Sequence, residues 1–160
     1  MTPEQVKLVH DSFAQVAPIG ASVANLFYDR LFHIAPEVRP LFPDDLTGQK
    51  AKLMQMLALA AVNLHQVERI IPAVRELGRR HAGYGVTPGH YERVGAALLW
   101  ALEQSLGPAF TPHIKDGWAA AYATIANAMK TAAAEVLIEV AEGTEFVHGH
   151  SRPSRSAGAR

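Results

Sequence analysis

The chain has 160 residues, 15 acidic and 15 basic, and no cysteine. A single domain of that length buries a core without covalent staples. Balanced charge leaves no electrostatic footprint for nucleic acid or an anionic membrane, and the missing thiols exclude disulfides, thiolate metal sites and cysteine nucleophiles. Met1-Thr2-Pro3-Glu4-Gln5 lacks the basic opening and apolar run of a signal peptide. No run of about 20 apolar residues exists to span a bilayer. A cytoplasmic protein without membrane insertion is therefore expected.

In chain order, Thr2 with Gln5 three residues later, and Pro3 between them, form a capping-box start. Val6, Val9, Phe13 and Val16 then mark a helical stripe that Pro18 and Gly20 break. A second helix is predicted from about Ala21 to Ile34, with Phe27, Leu31 and Ile34 on one face and Val23 and Tyr28 close by, ended by Pro36. Glu37 to Phe42 reads as a short helical turn and Pro43 to Gly48 as a polar connection. From Gln49 to about His65 helical spacing returns, and it puts the Gln49 amide on the side that carries Leu53, Met56, Leu57, Ala60 and Leu64.

Ile70, Val74, Leu77 and His81 follow at i, i+4, i+7 and i+11, so the imidazole points where the core points. Gly83 and Gly85 stop this helix. A buried ring nitrogen without a partner costs on the order of 1–3 kcal/mol, so His81 needs a hydrogen bond or a metal. The motif by itself favours a hydrogen-bonded core histidine over a metal ligand. Tyr91, Val94, Leu98 and Leu102 define a helix from Pro88 to Leu106, and Ile114, Trp118, Ala121, Tyr122, Ile125 and Met129 define the last one, from about Pro112 to Ala141. Trp118 and Tyr122 read as core packing. Gly143 is expected to end the helix, dividing the chain into a domain over 1–142 and a mobile tail over 143–160. His148 and His150 in that tail could bind a metal only weakly, and His10, His33, His65, His90 and His113 have no pair at metal-ligand spacing on a shared face. Strand alternation, internal repeats, P-loops and dinucleotide fingerprints are absent from the pattern.

The expected fold class is therefore all-α, with six or seven helices of uneven length rather than a symmetric four-helix bundle. Tyr28, Gln49, His81 and Tyr91 all face inward, and a purely structural core seldom gathers so many hydrogen-bonding groups without a ligand.

Five segments in order carry a family resemblance: 27–32 (FYDRLF), 36–42 (PEVRPLF), 77–81 (LGRRH), 90–95 (HYERVG) and 117–122 (GWAAAY). Together the sequence resembles the globins over about residues 3 to 141, and within them the bacterial single-domain haemoglobins similar to the haem domain of flavohaemoglobins. The resemblance implies a globin fold of six to eight helices around a pocket for haem b, iron protoporphyrin IX. It implies His81 as the proximal iron ligand, Phe42 packed on the porphyrin, and a distal set of Tyr28, Gln49 and Leu53. Leu77, Arg80, Val86, Tyr91 and Val94 would complete the cofactor-binding wall. Lys52 either reaches a haem propionate or is a solvated lysine.

Two consequences follow from this resemblance. Oxygen gains negative charge on binding ferrous haem, so the two donors Tyr28 and Gln49 would hold it at about 1.5–3 kcal/mol each. Glutamine is also a poor sixth ligand for iron, which removes bis-histidine coordination through position 49. Where flavohaemoglobins carry a glutamate that pulls on the proximal imidazole, this chain has Ala133, and Glu135 lies about 200° further round the helix. The His81 imidazole is therefore expected to donate to a backbone carbonyl, that of Leu77. The implied function is reversible binding of oxygen, for storage or delivery, with carbon monoxide and nitric oxide as further ligands. Nitric oxide dioxygenation with a separate reductase is the alternative, and gas sensing the third reading. A monomer or homodimer is expected.

Overall fold

The computed structural model describes residues 1–150, of which 143–150 as helical backbone only. Six α-helices account for the domain: α1 (Pro3–Val16), α2 (Gly20–Ile34), α3 (Thr47–Asn63), α4 (Ile71–Gly83), α5 (Pro88–Leu106) and α6 (Pro112–His150). Short 3-10 turns at Ala17–Ile19, Pro36–Leu41, Leu64–Arg69 and Gly107–Ala109 join them, and no strand occurs among the described residues.

Local chemistry sets the helix starts. Thr2 accepts from the Gln5 amide while the Gln5 side chain accepts from Thr2 N, at 3.1 and 3.0 Å, which satisfies two donors that the first turn leaves free. His90 does the same work at the head of α5, where its Nδ1 accepts from Thr87 N at 3.0 Å. That histidine has a structural task which spacing rules for metal ligands do not reveal.

The last helix differs from expectation. It continues through Gly143 to His150. One glycine weakens a helix by about 1 kcal/mol relative to alanine, and the next proline is Pro153, so the stop signal was weak. The remainder of the expected tail, 151–160, lies outside the described residues.

Packing divides the apolar side chains into two bodies. The larger gathers Val9, Val16, Val23, Phe27, Tyr28, Leu31, Leu98, Leu102 and Trp118 from α1, α2, α5 and α6, with Trp118 Nε1 donating to the buried Ser12 hydroxyl at 2.9 Å. The smaller joins Ile70, Val74, Tyr91, Ala126 and Met129, flanked by Leu77 and Val86. Tyr122 packs against both; its ring lies over Gly95, where a Cβ would stand 2.6 Å from Cε1, and its hydroxyl donates to the Tyr91 carbonyl.

Which helices meet decides where space is left. α4 lies chiefly on α6, α2 on α5 and α1 on α6, whereas α3 leans on α2 and α1 and makes at most marginal contact with α4. The α4–α6 approach is close because Gly78 has no side chain. A Cβ there would stand 2.6 Å from Met129 Cα, nearer than carbon atoms pack.

Replacing Gly78 with alanine should therefore cost about 1–3 kcal/mol of stability, as overpacking does in tight interfaces. Gly48→Ala, whose Cβ would meet nothing within 4 Å, should leave it unchanged or slightly raised. Urea unfolding of the two variants side by side checks the contrast.

Candidate functional site

α3 and α4 make at most marginal contact with each other, and the residues expected to line a pocket between them are half-buried rather than sealed: Phe42, Gln49, Leu53, Leu77, His81, Val86 and Val94. Apolar side chains left in this state form a lining waiting for an apolar surface.

His81 stands in the last turn of α4. Its Nδ1 lies 2.8 Å from the Leu77 carbonyl oxygen, one turn back. A carbonyl can only accept, so Nδ1 carries the proton and Nε2 keeps its lone pair. Burial holds the imidazole below the ordinary histidine pKa, opposed only in part by the Leu77 hydrogen bond. The group is thus a neutral imidazole, oriented by a carbonyl, with one free nitrogen, which is the form that binds metals. The helix end that carries it is pinned by Gly85, whose φ of 86° lets the chain double back so that Val86 N donates to His81 O at 3.1 Å.

On the other side Tyr28 rises from α2 into a cluster of rings. Its centroid is 4.9 Å from that of Phe27, 5.7 Å from Phe42 and 5.9 Å from Phe32. The hydroxyl donates to the Gln49 backbone carbonyl at 3.2 Å. Burial pushes its pKa up to about 12, so the proton stays on the oxygen at neutral pH and the group is a donor. Tyr28, Phe42 and Gln49 are therefore brought together, with Leu53 and Val94 packed on the same apolar body. Leu77, Val86 and Tyr91 stand on the opposite body, beside α4.

Two of the residues expected at the cofactor lie at the surface. Lys52 is exposed, and Arg80 is exposed with its Nε 3.7 Å from the Glu76 carboxylate. Glu135 is engaged elsewhere: it pairs with Arg75 and, at 3.7 Å, with Arg79, consistent with its place round the helix from position 133.

One residue escaped the sequence reading. Arg39 donates to the carbonyls of Phe42, Pro43 and Asp44 at 3.3, 3.0 and 3.2 Å and lays its guanidinium over Phe32, 5.0 Å from the ring centre. It fixes the extended segment that presents Phe42. Its only signal was a second charged residue, after Glu37, in a turn that also holds Pro36, Val38, Pro40 and Leu41.

The donor set also limits what the gap can hold. No group of three or more His, Cys, Asp or Glu among the described residues is placed to hold a metal ion. A single imidazole supplies one ligand, so a metal held here must bring its other ligands with it. A flat apolar macrocycle with its own metal fits both the lone nitrogen and the half-buried lining.

Comparison with known proteins gives the same answer from another direction. The globin family model matches residues 25–129, and the chain belongs to the globin family. A flavohemoprotein of Bacillus subtilis is 35% identical over 128 residues, which are 77% of this chain and 32% of the relative. The chain thus spans about a third of the length of the curated relatives it matches. Among solved structures, a bacterial globin from Campylobacter jejuni superposes with a TM-score of 0.77 at 28% identity, covering 85% of this chain and 99% of that one. An engineered carbene transferase described as a candidate nitric oxide dioxygenase of Rhodothermus marinus gives 0.81 at 27% identity, covering 88% and 99%.

Of the four tyrosines, Tyr28, Tyr91 and Tyr122 all have pKa values raised by burial. For Tyr28 the folded value of about 12 exceeds the ordinary 10.0, so between these the folded state holds a proton that the unfolded state has lost. Its contribution to stability is complete below pH 10 and disappears as pH rises towards 12. Absorbance titration at 295 nm should show late phenolate formation overlapping unfolding, with one late equivalent missing in Tyr28→Phe.

Proposed function

We propose that the chain is a haem-binding globin that reversibly binds oxygen, with His81 as the proximal iron ligand. The observation that carries this reading is the neutral imidazole of His81, oriented by the Leu77 carbonyl, on a helix that makes at most marginal contact with α3. Family membership and the flavohemoprotein relatives support it.

When bound, haem b supplies the iron at which a diatomic gas is held, and oxygen, carbon monoxide and nitric oxide are the proposed ligands. The chain does the rest. His81 would present Nε2 to the metal from one side, and Phe42, Leu77, Val86 and Val94 would cover the ring and exclude water. Tyr28 keeps its proton and can turn its hydroxyl from the Gln49 carbonyl towards a ligand that gathers negative charge. The Gln49 side-chain amide is a second donor in reach of the same space, and Leu53 fills the remainder with apolar volume. Donors of this kind favour a polar ligand such as oxygen over carbon monoxide.

Because the Leu77 carbonyl rather than a carboxylate accepts the hydrogen bond from His81 Nδ1, the imidazole remains neutral and would give less electron density to the metal. That arrangement suits reversible binding. Nitric oxide dioxygenation is the second reading, favoured by the structural neighbour described as such an enzyme; it would need a reductase as electron source, which the longer flavohemoprotein relatives suggest. Nitrate formation sustained over many cycles with an added flavin reductase separates the two.

The decisive measurement is oxygen release by stopped flow. Tyr28→Phe and Gln49→Leu should each speed it about ten- to a hundredfold, the equivalent of one charge-assisted hydrogen bond, while His81→Ala should abolish pigment retention. Unchanged rates in both distal variants would remove the distal assignment. The iron–histidine stretching vibration should fall in the range of a neutral imidazole, and an imidazolate-like frequency would contradict the role given to Leu77.

A further inference from the structure

A second cavity lies behind α4. It measures about 260 Å³ and is bounded by the end of α4, the link to α5, the start of α5 and the outer half of α6. Its walls are mainly apolar, from Ala82, Val86, Pro88, Ala133, Ala134 and Leu137.

Three polar side chains break this lining, Thr87, Tyr91 and Lys130; Thr87 belongs to the capping box at the head of α5. Tyr91 is 7% exposed, and its hydroxyl is buried with no hydrogen-bond partner among the described residues. Such an orphan costs on the order of 1–3 kcal/mol and calls for an explanation. Its pKa is raised by burial, so the hydroxyl keeps its proton and has a hydrogen bond to give. Lys130 is half-buried and forms no ion pair among the described residues. No carboxylate lines the cavity; the acidic residue nearest in sequence on α6, Glu135, is committed to Arg75 and Arg79. An apolar chamber with one cation, one unsatisfied donor and no acid is built for a small anion with an apolar body.

We propose that this cavity binds a short-chain aliphatic monocarboxylate, its carboxylate held by the Lys130 ammonium and the Tyr91 hydroxyl and its chain laid on Ala82, Val86, Ala133 and Leu137. The volume of about 260 Å³ lies near the lower end for small-molecule pockets and accommodates a short aliphatic chain. Leu137, 63% exposed, stands at the rim as the way in. The site is formed without the α3 wall and without His81, so it is separate from the proposed haem gap although Tyr91 and Val86 border both.

The test is calorimetric titration of the full chain, as purified, with hexanoate and with hexanamide, its uncharged twin. Saturable 1:1 binding of hexanoate, at least about tenfold weaker for hexanamide, is expected from the loss of a charge-assisted contact. Lys130→Met should weaken hexanoate by about tenfold or more, and Ala133→Phe should abolish it by filling the cavity, with circular dichroism reporting that the variant is folded. If Ala133→Phe fails to fold, the Lys130→Met and hexanamide arms decide. Absence of saturable binding, equal affinity for the amide, or indifference to Lys130→Met would overturn the proposal. So would loss of hexanoate binding on loading the protein with haem, since that would make the cavity part of the haem gap. The measurement reads the carboxylate site whether or not the protein is coloured, so failure of the haem reading and failure of this one are distinguishable.

Discussion

The approach of Gly78 to the Met129 backbone governs much of this molecule. With no side chain between them, α4 and α6 touch main chain to main chain, and α4 is thereby committed to α6 rather than to α3. A helix advances about 100° per residue, so His81 lies about 60° round from Gly78, at the margin of that contact. The imidazole is consequently half in the protein and half facing the gap. A bulkier residue at 78 would lever α4 outward and move the ring with it.

From this constraint the electrostatics of the site follow. Neither wall of the gap carries a free carboxylate, and the titratable groups that line it are kept uncharged by burial: His81 below its ordinary pKa, Tyr28 well above its own. The result is a neutral set of groups, with the Tyr28 hydroxyl as a donor and a lone pair on the His81 ring. In the proposed haem-binding reading, a partial charge on a ligand held there would be felt more strongly than in bulk water. The carbonyl of Leu77 has a double part, closing a helical turn and choosing which ring nitrogen of His81 holds the proton.

Much of this could be read from the residues alone, and the reasons are local. The capping box of Thr2 and Gln5 and the bounds of α5 at Pro88 and Leu106 follow from signals within a few positions, and the stripe ending in His81 follows from helical period. What stayed hidden depends on neighbours distant in sequence. Gly78 looks like a helix-weakening residue until Met129 is seen against it. Arg39 looks like a surface charge until three carbonyls are found around it. His90 was passed over because capping by histidine resembles no ligand spacing, and the orphaned Tyr91 hydroxyl is invisible without knowing what surrounds it. Gly143 misled in the other direction, since a stop signal without a following proline is easily overridden.

The Arg39 clamp bears on kinetics. Segment 42–44 has no regular hydrogen bonding of its own, and an unclamped stretch of this kind would have to surrender conformational freedom each time a ligand arrived. Here a side chain from the preceding turn has already frozen it, through three main-chain acceptors and a stacked ring. The segment that carries Phe42 is thus ordered in advance, and in the proposed haem-binding reading association would need no search for its shape.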